Sequence, residues 1–136
     1  MTLLIESFMT KTPHSIEPGQ KLMEAKKRMM KYGCEHLPVL SGRQIVGVIS
    51  DRDILFVNSL NQNHQDESIT VGDVMITEVF TVDENTSVAE VIKIMLEKNI
   101  GSMLITKKDE LSGIFTATDM GAAFLHLLNS LEAPAA

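Results

Sequence analysis

Tryptophan is absent from this 136-residue chain, and aromatic residues make up only 4% of it. No core can be built on large rings. With 44% apolar residues and nine methionines, the interior must be aliphatic, its irregular gaps filled by thioethers. Cys34 is the single cysteine, so neither an intrachain disulfide nor a cysteine-built zinc site can form. Basic side chains are outnumbered, 12 against 18 acidic, for a net charge of -6. That balance argues against a nucleic-acid binder, which needs a clustered basic face, and against an anionic membrane surface. No apolar run approaches the roughly 20 residues that span a bilayer. The N-terminal dozen residues carry Glu6 and no long apolar stretch, so no secretory signal is read there. A soluble, cytoplasmic protein is expected.

Several chemistries also lack their residues. No glycine-rich phosphate loop of the P-loop or dinucleotide type occurs. His14, His36, His64 and His126 show no metal-ligand spacing, so no metal site is expected. Cys34 lies close to His36, but no third group is placed to orient the imidazole. No catalytic residue is assigned, and the chain is read as a non-enzyme.

What the chain does contain is an internal repeat. A shift of 66 lays residues 7–55 on 73–121 without a gap. Met9 then meets Met75, Glu24 meets Glu90, Lys27 meets Lys93, Met29 meets Met95, Gly47 meets Gly113 and Asp53 meets Asp119. Each copy opens with a short strand, at Ser15 and Ile16 or at Phe80, Thr81 and Val82. A helix follows. Val88, Val91, Ile92, Met95 and Leu96 fall on one face of it in the second copy, as Leu22, Ala25, Met29 and Met30 do in the first. Ser87 with Glu90 has the spacing of a capping box, and Gly33 suits a helix end. Hairpins are predicted over 36–40 and 44–49, and over 102–106 and 111–115. Second helices start near Ser50 and near Thr116, the last running over about 118–131. Each unit reads β-α-β-β-α, an α+β fold. Neither copy of about 50 residues buries enough surface alone, so the two should pack about a pseudo-twofold axis into one module. The expected divisions are 1–60, a polar linker at 61–68, and 69–136.

The chemistry-bearing feature is a pair of strand-to-helix junctions. Gly47-Val48-Ile49-Ser50-Asp51-Arg52-Asp53 and Gly113-Ile114-Phe115-Thr116-Ala117-Thr118-Asp119 share the order glycine, two apolar residues, a hydroxyl, two variable residues, aspartate. The free N–H groups of a helix start face the same side as the strand's end. The carboxylate can accept two hydrogen bonds from the vicinal hydroxyls of a ribose, and the helix start offers positive partial charge to a phosphate. The same spacing is also an ordinary N-cap. Capping and ligand binding are compatible, because one oxygen can cap while the aspartate points into the cleft.

The repeat, the His36-Leu37-Pro38-Val39 strand and both Gly-x-x-Ser/Thr-x-x-Asp segments resemble the CBS domain family, named after cystathionine β-synthase. The resemblance covers about residues 7–125. It implies a tandem pair forming one module, usually a homodimer, whose ligands are AMP, ADP, ATP or S-adenosylmethionine. Carried over by position, one ligand site would use Val48, Ser50, Arg52 and Asp53, with its base against Thr77, Glu78, Val79, Phe80, Ile100, Gly101 and Ser102. The other would use Ile114, Thr116, Thr118 and Asp119, with Thr12, Pro13, His14, Cys34, Glu35 and His36. Mg²⁺ is expected only as a companion of nucleotide phosphates.

The two halves are chemically unequal. Arg52 beside Asp53 is a natural phosphate partner, whereas Thr118 stands in its place in the second copy. His36 lies where the family often puts a basic phosphate contact, against the neutral Ser102. Lys26, Lys27, Arg28 and Lys31 read as a solvated helix face. The apolar residues of the last helix exceed what one face needs, which suggests a partner surface, most simply a second copy or a regulated protein. The resulting expectation is a regulatory adenine-nucleotide module; the alternatives are a ligand-free dimerisation scaffold and an S-adenosylmethionine binder.

Overall fold

The structure, a computed structural model, describes residues 2–60 and 68–134. The expected linker at 61–68 lies almost wholly outside the described residues. The chain order is a 3-10 turn (Ile5–Ser7), β1 (Thr10–Lys11), α1 (Leu22–Tyr32), β2 (His36–Ser41), β3 (Gln44–Ser50), α2 (Asp51–Leu60), α3 (Val71–Val74), β4 (Thr81–Asp83), α4 (Val88–Lys98), β5 (Ser102–Lys107), β6 (Glu110–Thr116) and α5 (Ala117–Glu132). This is the expected α+β arrangement, with β-α-β-β-α recurring. The 3-10 turn, β1 and α3 were not read from the sequence.

Two compact units form. One comprises Pro13–Val79; the other comprises Met1–Thr12 together with Phe80–Ala136. The units therefore do not coincide with the two halves of the sequence. The lead-in of the first repeat, ending at Thr12, belongs with the second repeat's helices and hairpin. The lead-in of the second repeat belongs with the first.

Within the 13–79 unit, α1 ends at Gly33, which takes the left-handed conformation at φ 64°. β2 and β3 form an antiparallel hairpin with a bulge between Val39 and Leu40. Ile16, Leu22, Ala25, Met29, Leu37, Val39, Ile49, Ile54 and Val71 make its buried core. Val71 comes from the lead-in. The Leu22 N–H donates to Ile69 O at 3.0 Å, and Val71 N–H to Gln20 O at 2.8 Å. Ile76 and Val48 exchange both backbone bonds, at 3.0 and 2.9 Å.

The other unit repeats these bonds with the same shift of 66. Val88 N–H donates to Leu3 O at 2.8 Å, and Ile5 N–H to Thr86 O at 2.8 Å. Thr10 pairs with Ile114 as Ile76 pairs with Val48. The hairpin bulge recurs between Ile105 and Thr106. Ser87 Oγ accepts from the Glu90 N–H at 3.2 Å, one arm of the expected capping box. Asn99 ends α4 at φ 53°, doing what Gly33 does for α1. Ile5, Val91, Met95, Met103, Ile105 and Phe115 are buried together.

One predicted strand is nearly lost. β4 pairs with β5 over three residues, but Ile16 makes only a single bridge to Val39. Leu104 N–H donates to Phe80 O at 3.3 Å, whereas the corresponding residue in the first copy is Pro38, which has no N–H to donate.

Candidate functional site

The close approach of each lead-in to its hairpin depends on glycine. A Cβ on Gly47 would lie 2.7 Å from Met75 Sδ and 2.9 Å from Ile76 O, and one on Gly113 would strike Met9. These glycines hold the strand ends against the backbone of residues 75–76 and 9–10. Each hairpin then runs directly into its helix.

At the first junction the Ser50 backbone N–H and hydroxyl both donate to Asp53 Oδ2, at 3.1 and 2.8 Å. The Asp53 N–H returns a bond to Ser50 Oγ at 3.2 Å. Ser50 and Asp53 are half-buried. One carboxylate oxygen thus caps the helix and fixes the rotamer, while Oδ1 accepts no bond among the described residues. Asp51 N–H donates to Glu35 O at 2.8 Å, and Lys26 Nζ pairs with Asp51 Oδ1 at 2.6 Å, so α1, β2 and α2 meet at this point. Arg52 is exposed and makes no ion pair among the described residues. Thr77 and Glu78 are exposed immediately after the Ile76 bridge, and Val79 is half-buried.

The second junction is built alike but filled differently. Thr116 N–H and Oγ1 donate to Asp119 Oδ2 at 2.9 and 3.2 Å. Asp119 Oδ1 accepts a further bond from Thr10 Oγ1 at 2.9 Å. In the first copy the place of Thr10 is taken by Ile76, 48% exposed, which has no hydroxyl. Thr118 is exposed. Thr12 is held at φ 47°, a left-handed backbone unusual for a β-branched residue, and its N–H donates to Ser112 O at 3.1 Å.

Not every Ser/Thr-x-x-Asp is a site. Thr70 and Asp73 make the same bonds at the start of α3, both at 2.9 Å, and there no glycine-ended strand precedes them. Capping alone accounts for that copy.

The remaining expected residues divide between the units. Pro13, His14, Cys34, Glu35 and His36 lie in the 13–79 unit; Phe80, Ile100, Gly101 and Ser102 lie in the other. His36 pairs with Ser50 across the first hairpin, as Ser102 does with Thr116 across the second. Burial holds the His36 imidazole below its ordinary pKa, against the opposing pull of the Glu35 and Asp53 charges. Burial pushes the Cys34 thiol up, making it a poor nucleophile. Phe80 carries Lys98 Nζ 5.6 Å above its ring. Sequence reasoning missed Thr10, Met9, Met75 and Ile76 as neighbours of the junctions.

Among the described residues, no cluster of three or more His, Cys, Asp or Glu side chains is placed to hold a metal ion. None of the described helices is long and apolar enough to cross a membrane.

Paired Gly-x-x-hydroxyl-x-x-Asp junctions on repeated β-α-β-β-α units define a class of tandem repeat modules. The model of the CBS domain family matches residues 5–59 and again 71–125, and the chain belongs to that family. It is 30% identical over 116 residues to the inosine-5'-monophosphate dehydrogenase of Korarchaeum cryptofilum, a match covering 85% of this chain. The chain spans only 23% of that relative's length. Among solved structures it is similar to CBSX2 in complex with AMP, at 25% identity and TM-score 0.77, covering 93% of this chain and 98% of the other. It is also similar to the CBS domain pair of protein MJ0100 in complex with 5′-methylthioadenosine and S-adenosyl-L-methionine. That match has 26% identity and TM-score 0.82, covering 93% of this chain and 99% of the other.

Proposed function

We propose that the chain is a regulatory module that binds an adenosine-bearing ligand, AMP, ADP or ATP, at its strand-to-helix junctions. The observation that carries this is the state of Asp53. Its Oδ2 is clamped by Ser50, and its Oδ1 stands open to accept ribose hydroxyls. The adenosyl ligands of CBSX2 and MJ0100 support the same chemistry. Arg52, free of protein partners among the described residues, would meet the phosphates, and Mg²⁺ would enter only with them. At Asp119, Thr10 already bonds to Oδ1, so a ribose there must share or displace that hydroxyl. The Asp53 junction is therefore the tighter site. The ligand would stabilise one arrangement of the module, and a second copy or a regulated protein would read it.

Calorimetric titration with AMP, ADP, ATP and S-adenosylmethionine tests this. Two unequal steps are expected with an adenine nucleotide. Asp53→Ala should remove the tighter step, costing about 1–3 kcal/mol of binding. Thr10→Val should strengthen the weaker step and leave the tighter one unchanged. Absence of binding by all four ligands at millimolar concentration would refute the proposal.

A second reading, a dimerisation scaffold with empty clefts, draws on one observation. α5 has no buried residue, and Phe124, Leu125, Leu127 and Leu131 are all exposed. A dimer by light scattering whose melting temperature ignores all four ligands would favour it.

A further inference from the structure

The first repeat carries a cleft lined mostly by charged side chains. It lies within the 13–79 unit, along α1 and the segment before it, with a volume of about 590 Å³. Its wall is made by His14, Ser15, Glu24, Lys27, Arg28 and Lys31, with Tyr32. The chain is acidic as a whole, yet three cations converge here against one carboxylate. Arg28 is fixed in place. Its Nε meets Glu24 Oε1 at 3.2 Å, and its Nη1 donates to Ser15 O at 2.9 Å. Lys27 and Lys31, one helical turn apart on the same face, make no ion pair among the described residues. Like charges at i and i+4 on a helix disfavour each other, so the fold gains nothing from pairing them.

The fold does not require this charge. With the shift of 66, Lys27 has its counterpart in Lys93, but Arg28 becomes Ile94 and Lys31 becomes Glu97. α4 forms as well as α1 does, with the same length and the same left-handed end. The cleft's charge is thus a property of the first repeat alone. The aromatic part of its lining is also specific. His14 and Tyr32 stack with ring centroids 3.5 Å apart and planes within 10°, and Lys31 Nζ sits 5.3 Å from the Tyr32 ring. The stack fixes the Tyr32 ring at the edge of the charged groups, and the polar lining of the cleft is dominated by their charge. Its volume falls in the range of small-molecule pockets, about 300–1,000 Å³, rather than that of a flat protein contact. Two ammonium groups and one guanidinium, partly offset by Glu24, match an anion of two or more charges with spaced oxygens.

We propose that this cleft is a binding site for an oligophosphate chain, separate from the Ser50–Asp53 junction. The chain could be inorganic or the tail of a nucleotide; the chemistry recognised is the same. Tyr32 is the only tyrosine, and there is no tryptophan, so intrinsic fluorescence reports on the cleft directly. Titration with inorganic tripolyphosphate at low ionic strength should change the Tyr32 emission saturably below millimolar concentration. Rising salt should weaken the effect. Arg28→Ile with Lys31→Glu, the residues found at the equivalent places in the second repeat, should weaken binding by about tenfold or more. Asp53→Ala should leave it unchanged, so this site and the nucleotide junction fail or succeed independently. In Asp119→Ala, which disables the junction to which the family resemblance assigns His14, adenosine should produce no response and tripolyphosphate an undiminished one. If the double variant melts early, Lys27→Gln with Lys31→Gln carries the same test on a less altered surface. No Tyr32 response to tripolyphosphate, or an equal response in the charge-altered variants, overturns the proposal. So does an acidic peptide that responds as strongly as tripolyphosphate.

Discussion

Three aspartates among the described residues make nearly the same hydrogen bonds, and the differences among them separate a plain cap from the proposed ligand site. Asp73 closes a four-residue helix, and that exhausts its role. Asp53 uses one oxygen on Ser50 and keeps the other open, while Asp119 spends its second oxygen on Thr10. Loss of the carboxylate at any of the three should cost about 0.5–2 kcal/mol through the lost cap. Only the junction aspartates should also affect ligand. His36 adds a pH dependence at the same junction. Its pKa is depressed in the folded state by burial, so the unfolded chain binds the proton more readily. Stability is therefore full above the ordinary imidazole value of about 6.5 and falls as pH drops through the window below it. Melting temperatures followed from about pH 7 to pH 5 should decline more steeply for the native chain than for His36→Gln. Parallel curves would show that His36 is not responsible.

At the scale of elements, the two hairpins reach the same register by different turns. The first places Gly42 at φ 62°. The second places both Lys108 and Asp109 there, at φ 51° and 64°. Two side-chain-bearing residues in the left-handed region match a type I′ turn, and each carries a steric cost of about 1–2 kcal/mol relative to glycine, eased at aspartate. Asp109→Gly should therefore raise stability by up to about 1 kcal/mol without changing the β5–β6 register, measured by denaturant midpoint at constant m-value. The helices, hairpins and both junctions were legible because their signals are local: helical periodicity, turn residues and cap spacing. The short strand at Ser15 and Ile16 was misjudged because its partner, Pro38, withholds an N–H that only the paired structure makes relevant. Thr10 was illegible for a related reason. Its hydroxyl matters only because residue 119 lies beside it, and nothing in the sequence around Thr10 marks that contact.

At the scale of the whole chain, the unread feature is the exchange of lead-in segments between the two compact units. The repeat itself conceals it. Because Met9 matches Met75 and Gly47 matches Gly113, either lead-in offers its methionine to either hairpin, and a one-dimensional pattern cannot distinguish the two pairings. The consequence is energetic. Ile5 is fully buried among α4, β5 and β6, although more than 80 residues of chain separate it from the nearest of them. Val71 occupies the mirror position against α1, β2 and β3. Each unit's core thus contains a residue supplied by the other repeat, which ties the stability of the second repeat to the integrity of the first dozen residues. Ile5→Ala should cost about 2–5 kcal/mol by leaving a cavity in that core. Hydrogen exchange should locate the loss. Amides of α4, β5 and β6 should lose protection first, while those of α1, β2 and β3 retain it until global unfolding. Val71→Ala should reverse the order. If Ile5→Ala instead opened the 13–79 unit first, the N-terminal segment would belong with its own repeat, and the exchange would be wrong.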